Sequence, residues 1–204
     1  AHNTSQEPLE SFEDRTVFDT FRRMAPNAFT VVNRFNDEKN PDKPIYVKSQ
    51  CMHCLKPACV SACLVGALNI NDRGGVTYEA WKCMGCRYCL VACPFEVPSY
   101  EYMNALTPEV RKCDFCAART EKGELPACAE ICPPMCLTYG KREDLLKVAH
   151  EKIETNPERY LDHVYGEHEA GGTAWLYLAG KEFKELGMIE LDETPVPNLT
   201  ETIQ

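Results

Sequence analysis

The sequence predicts a loop-rich α+β fold: cysteine-bearing loops in tandem, tied together by short hairpins, with a C-terminal extension that is part helical and part extended. Three observations predict it. Of the 13 cysteines, all but Cys136 fall into quartets that open at Cys51, Cys83 and Cys113, at steps of 32 and 30 residues. Short alternating segments flank turn-rich stretches, and a single amphipathic helix pattern follows the last quartet. In chain order, Thr30–Phe35 and Ile45–Lys48 alternate around the turn-rich Asn36–Pro44 and predict a first hairpin. Ala67–Ile70 and Val76–Tyr78 predict a second, turning at Asp72–Gly75. Leu137–Tyr139 is expected to repeat that strand position after the third quartet. Residues 142–155 predict the one clear helix: Leu145, Ala149 and Ile153 share a face with Leu146 beside them, Glu143 and Asp144 suit its start, and Pro157 stops it. That face is expected to pack on its own domain. The pair Gly171-Gly172 permits a tight turn before Thr173–Leu178, and Pro195–Gln204 reads as an extended arm. The organisation expected is an N-terminal segment and hairpin (1–50), a cysteine-bearing domain (51–140), and an extension for packing and partner docking (141–204).

Composition narrows the function. The 44% hydrophobic content includes the 13 cysteines, and without them it is about 38% of the 204 residues, thin for a domain of this length. Something attached to the cysteines is therefore expected to help hold the fold. Lys+Arg 22 against Asp+Glu 31 gives a net charge of −9, which repels a phosphate backbone and argues against nucleic-acid binding. No stretch approaches the ~18–20 apolar residues of a membrane span. The opening residues Ala1–Pro8 show neither a basic nor an apolar leader region. No C-x-x-C-H occurs, so covalent c-type haem is excluded. Neither a dinucleotide loop nor a nucleophile–base pair is present, so substrate chemistry within the chain is not expected.

The quartets are Cys51-x2-Cys54-x4-Cys59-x3-Cys63, Cys83-x2-Cys86-x2-Cys89-x3-Cys93-Pro94 and Cys113-x2-Cys116-x11-Cys128-x3-Cys132-Pro133. A disulfide framework suits shorter secreted chains with an even cysteine count, and C-x-x-C pairs bridge poorly. Structural zinc explains isolated pairs of C-x-x-C motifs. It does not explain three cysteines within seven residues, a fourth four positions later and then proline. The spacing of Cys83–Pro94 is that of the bacterial 4Fe-4S run, in which three thiolates wrap one cubane cluster and the fourth ligates its neighbour. The exchange rule then predicts one 4Fe-4S cluster on Cys51, Cys54, Cys59 and Cys93, and a second on Cys83, Cys86, Cys89 and Cys63. The fourth cysteine is expected to start a helix-like segment leading to the neighbouring cube. Leu64 stands where the proline is usual. Cys113, Cys116 and Cys128 lack a fourth thiolate, which leaves Cys132 to serve another cluster. Cys136 is expected to be a buried packing cysteine.

The stretches CMHCLKPACVSACLVGAL, CMGCRYCLVACPFEVPSYEY and KCDFCAARTEKGELPACAEICPP resemble the four-cluster, ferredoxin-type iron–sulfur subunits of the dimethyl-sulfoxide-reductase superfamily and of membrane-bound NiFe hydrogenases. VYGEHEAGGTAWLYLAG resembles the C-terminal segment of the hydrogenase and formate-dehydrogenase branch. The resemblance spans roughly residues 30–180. It implies a tandem dicluster ferredoxin-like fold and a non-catalytic subunit that relays single electrons. One partner implied is a catalytic subunit, either a molybdenum or tungsten pterin enzyme or a NiFe hydrogenase. The other is a membrane quinone-handling subunit or cytochrome, with the chain peripheral on the periplasmic face of the cytoplasmic membrane. The family carries a further quartet upstream that exchanges ligands with the one aligned to Cys113–Cys132. No cysteine precedes Cys51, and His2-Asn3 is similar to the residues just after the last cysteine of that quartet. The expectation is two complete clusters from this chain, with a third and a fourth dependent on such an upstream segment; a three-cluster variant completed by Cys132 or Cys136 is the alternative. A freely diffusing polyferredoxin is the rival function, against which the long stretch after Tyr139 argues.

Other residues carry weaker signals. His53, between Cys51 and Cys54, either donates a hydrogen bond to a cluster sulfur and raises its potential or faces solvent or a partner. Lys82, Arg87, Lys112 and Arg119 flank ligands, where positive charge favours the reduced cluster, with plain solvation as the alternative.

Overall fold

The computed structural model describes residues 16–37, 40 and 42–199. Alternation in the sequence becomes small antiparallel pairs and no large sheet. β1 (Val31–Phe35) pairs with β2 (Ile45–Ser49), with Asn33 opposite Val47. Val31, Asn33 and Val47 face inward. The buried Asn33 is tolerable because its amide accepts from Arg22 N–H (2.9 Å) and donates to Arg22 O (2.9 Å). β3 (Leu68–Ile70) pairs with β4 (Val76–Tyr78), closing around Asn71, whose side chain accepts from the Gly75 and Arg73 amides. Both hairpins lie where alternation puts them. A third pair, β5 (Ser99–Tyr100) with β6 (Val110–Arg111), has no counterpart in the sequence reading.

Leu137–Tyr139 is not a strand. The chain turns just before it, Met135 N–H donating to Cys132 O (3.0 Å), and the Leu137 amide acts on the Cys132 sulfur. The helices of the quartets also lie differently from expectation. α1 (Ala58–Ser61), α2 (Tyr88–Ala92) and α4 (Ala127–Glu130) each contain the third cysteine of a quartet and end before the fourth. A short helix thus separates third from fourth cysteine and carries the chain away before the fourth. α3 (Ala117–Thr120) follows Cys116.

α5 spans Arg142–Thr155, with Glu143 and Asp144 in its first turn, Lys152 in its last, and Asn156 at its end before Pro157. Ala149 and Ile153 are buried against Val164, with Leu146, Tyr160, Leu176 and Leu178 around them. The helix therefore packs on its own chain. Ile153→Ala is expected to cost about 3 kcal/mol, since this small cluster cannot collapse onto the space left. Chemical denaturation measures it, and cluster content should be unaffected because Ile153 touches no quartet.

Pro195–Gln204 is not simply extended: Val196–Leu199 forms a 3-10 turn with Pro197 buried, and Pro195 lies over Gly171. Residues 200–204 of that arm, and His2-Asn3, lie outside the described residues. The other two cores are built partly of cysteine. One groups Cys51 and Met52 with Phe95, Val97, Tyr165 and Phe183; the other groups Cys59 and Cys89 with Leu68, Val76 and Val110. Thiols stand where an ordinary core would place aliphatic side chains, which accounts for the thin apolar composition.

Candidate iron–sulfur site

The first ligand loop is shaped by a left-handed residue and clamped from a distance. His53 adopts φ 49°, turning the chain between Cys51 and Cys54. Residues 172–175 lie along this loop: Leu55 N–H donates to Gly172 O (3.0 Å), Ala174 N–H to His53 O (2.9 Å) and Trp175 N–H to Met52 O (3.2 Å). Arg142, opening α5, holds the clamp by donating to Thr173 O (2.8 Å), Glu167 O (2.8 Å) and Gly166 O (3.3 Å). Glu169 is buried, accepting from Gly166 N–H (2.6 Å) and lying 2.6 Å from His163 Nε2. The glycine-rich motif at 166–172 is thus the support of the first cysteine loop, which sequence reasoning did not find.

Charges on Cys51, Cys93 and Cys59 all reach Cys54, so the structure brings these four thiols together although Cys93 comes from the second quartet. The Val97 and Phe95 amides act on the Cys93 sulfur, and Glu96 N–H donates to Cys93 O (3.1 Å). Cys63, Cys83, Cys86 and Cys89 line one pocket, walled by Leu68, Tyr78 and Val110. Within it Ala67 N–H donates to Cys63 Sγ (3.1 Å) and Gly85 N–H to Cys83 Sγ (3.4 Å). Gly85 has φ +74°, and a Cβ there would stand 2.9 Å from the Tyr100 hydroxyl, so this approach requires glycine.

The third group is incomplete. Cys113, Cys116 and Cys128 all act on the Lys48 ammonium. Left-handed Phe115 and Cys116 shape this loop, and Asp114 Oδ1 accepts from Cys116 N–H (2.8 Å). Cys132 faces elsewhere, with its sulfur 3.4 Å from that of Cys136. The Leu137 amide acts on it, as those of Val97 and Phe95 do on Cys93. Cys136 is exposed, against the expectation of a packing residue: it lies beside Cys132 at the surface and not in a core.

Burial raises the thiol pKa values first, and neighbouring thiols add to it: Cys59 reaches about 12, Cys89 about 11 and Cys113 about 12, with Cys54 also raised. Burial disfavours their thiolate forms, so metal binding here would release protons. Among the described residues no three His, Cys, Asp or Glu side chains converge closely enough to hold a single metal ion.

His53 is fully buried, which removes the solvent-facing reading. Its Nδ1 accepts from Val76 N–H (2.9 Å), so the neutral ring carries its proton on Nε2, and that atom is buried without a partner. Burial, then Lys112 and Lys48, hold its pKa well below the ordinary value. An orphaned buried donor on the loop between Cys51 and Cys54 fits an inorganic sulfide acceptor. The ring centroid lies 4.5 Å from that of Phe115, so the first and third loops touch here.

Of the flanking cations, Lys82 pairs with Glu79, Arg119 with Glu124 and Glu130, and Arg87 lies over Tyr100 and Tyr102. Lys112 is buried, donating to Val76 O and to Cys113 O (2.9 Å). Lys48 was missed because it stands outside the quartets, on β2.

The 4Fe-4S dicluster domain family matches residues 43–142. The chain is 51% identical over 183 residues to a protein of Nitratidesulfovibrio vulgaris, covering 90% of this chain and 49% of that one. It is 35% identical over 195 residues to the hydrogenase-2 operon protein HybA of Escherichia coli O157:H7, covering 83% and 59%. It is 31% identical over 167 residues to the nitrate-inducible formate dehydrogenase iron–sulfur subunit of Escherichia coli K12, covering 79% and 55%. The chain therefore spans between half and three fifths of the length of these curated relatives. A matching dicluster domain, thiols grouped across quartets and similarity along nearly the whole chain lead to one conclusion: the chain belongs to the 4Fe-4S dicluster family, alongside the iron–sulfur subunits of formate dehydrogenases and the hydrogenase-2 operon protein.

Proposed function

We propose that the chain is a non-catalytic electron-transfer subunit, relaying single electrons between a catalytic oxidoreductase subunit and a membrane quinone-handling subunit or cytochrome. The observation that carries this reading is a row of thiol groups. Cys59 packs in one core with Cys89, Cys63 and Cys83, and Cys51 in another with Cys54, Cys93 and Cys113. The order is therefore Cys63/83/86/89, then Cys51/54/59/93, then Cys113/116/128. When bound, each 4Fe-4S cluster takes up and hands on one electron at a potential its surroundings set.

The chain's own residues do the rest. The thiolates hold the clusters, inward amides and His53 Nε2–H donate to sulfur, and Leu68, Val76 and Val110 keep water out. Cys86 is exposed, flanked by the exposed Met84 and Tyr88, so one end of the row opens at an apolar surface suited to a partner subunit. Cys132 is the donor this reading gives to a further cluster, whose other thiolates these quartets do not supply. The catalytic partner in this proposal is a molybdenum or tungsten pterin enzyme or a NiFe hydrogenase. Among the described residues no helix is long and apolar enough to cross a membrane. Attachment at the periplasmic face of the cytoplasmic membrane is accordingly assigned to partners.

The test is purification of the native complex from membranes. The chain is expected to co-purify with a catalytic and a membrane subunit, its brown absorption bleaching with the catalytic subunit's substrate and recovering with a quinone. Isolation as a monomer at physiological salt, still brown, would favour a diffusing carrier instead.

A further inference from the structure

Lys48 lies within electrostatic reach of the third thiol group, and its placement is built: Trp175 and Tyr177, which surround it, pack on the same core as Cys113. Its Nζ donates to Gln50 Oε1 at 2.6 Å and lies 4.5 Å from the centroid of the Trp175 ring. Gln50 is buried, and its Nε2 donates to the Tyr177 hydroxyl at 2.6 Å. That hydroxyl donates back to Lys48 O at 2.7 Å. The circuit fixes each role: Tyr177 has spent its proton on a carbonyl, so it must accept from the Gln50 amide, which turns the amide oxygen to Lys48. Among the described residues Lys48 makes no ion pair with a carboxylate. Burial lowers its pKa, and Cys128, Cys113 and Cys116 act the other way to favour the ammonium; of these, Cys113 shares the core of Trp175 and Tyr177.

We propose that the Lys48 ammonium sets the reduction potential of the cluster held by Cys113, Cys116 and Cys128, raising it above the value that ligation alone would give. This rests on the ligand reading above. Reduction adds a negative charge to a cluster already surrounded by thiolates. A fixed cation in a largely buried site stabilises that added charge far more than one in water does. Lys112 is a buried cation nearby. Its charge acts on Cys59 of the first group and Cys113 of the third, whereas Lys48 acts on all three thiols of the third. The Gln50–Tyr177 circuit holds the ammonium and contributes no opposite charge, and Trp175 covers it with a ring face. Lys48 is thereby a positioning residue for electron flow: it makes the step from the first cluster to the third more downhill.

The experiment is a redox titration of the native complex followed by electron paramagnetic resonance, with Cys116→Ser marking the third cluster's signal. In Lys48→Met that signal is expected to need a lower potential for reduction. Its oxidised-to-reduced ratio at fixed potential should rise at least tenfold, which is about 59 mV for a one-electron couple. The signal from the Cys63/83/86/89 cluster should not move. Lys48→Arg should restore the original midpoint. Gln50→Glu, which places an anion on the ammonium without removing it, should lower the same midpoint and serves should Lys48→Met fail to assemble. Unmoved midpoints with all signals present would overturn the role of Lys48. An equal shift of every cluster would do the same. A native complex without the signal marked by Cys116 would instead overturn the ligand reading.

Discussion

Replacing Cys93 by alanine is expected to remove the cluster of Cys51, Cys54 and Cys59, and to leave intact the cluster of its sequence neighbours Cys83, Cys86 and Cys89. The expectation follows from packing. Cys93 acts on Cys54 and Cys59, while Cys89 is surrounded by Cys63, Cys83 and Cys86. α2 is the reason: its five residues carry the chain from one thiol group to the next before Cys93 is reached. The loss should be the iron of one cluster, with the complementary loss in Cys63→Ala. Iron analysis with electron paramagnetic resonance measures both. Loss of the cluster nearest in sequence would mean that each quartet serves itself.

Gly166→Ala should be nearly as damaging, from a position that touches no thiol. Gly166 has φ +99°, and an added Cβ would collide with the Trp175 carbonyl and the Thr173 hydroxyl. Both belong to the clamp on the first ligand loop. The left-handed backbone and the clash with a carbonyl together are expected to cost about 3 kcal/mol. Because residues 172–175 hold the Met52 and His53 carbonyls, the variant should also lose first-cluster iron on dilution. Ile153→Ala, of comparable cost, should not. Denaturation curves paired with iron retention separate the clamp from general stability.

Much of this was legible in the sequence where spacing or period carries it. The quartets declare their chemistry through thiol spacing, the hairpins at 31–49 and 68–78 through alternation about a turn, and α5 through the Leu145–Ala149–Ile153 face. Features that depend on contacts distant in sequence were not. Two-residue strands such as Ser99–Tyr100 are too short to show a period. Leu137–Tyr139 has strand-forming residues, but its first amide, that of Leu137, is drawn to Cys132. His53 was ambiguous in sequence because its burial is set by Val76, Phe115 and the clamp, none of them adjacent. Lys48 reads as an ordinary strand lysine until the fold brings Gln50, Tyr177 and Trp175 around it.

The reciprocal row of clusters is tested most directly by diffraction at the iron absorption edge from crystals of the native complex. Compact iron density is predicted among Cys51, Cys54, Cys59 and Cys93, among Cys63, Cys83, Cys86 and Cys89, and beside Lys48. Iron enclosed by Cys51, Cys54, Cys59 and Cys63 instead, or no iron among these thiols, would contradict the account.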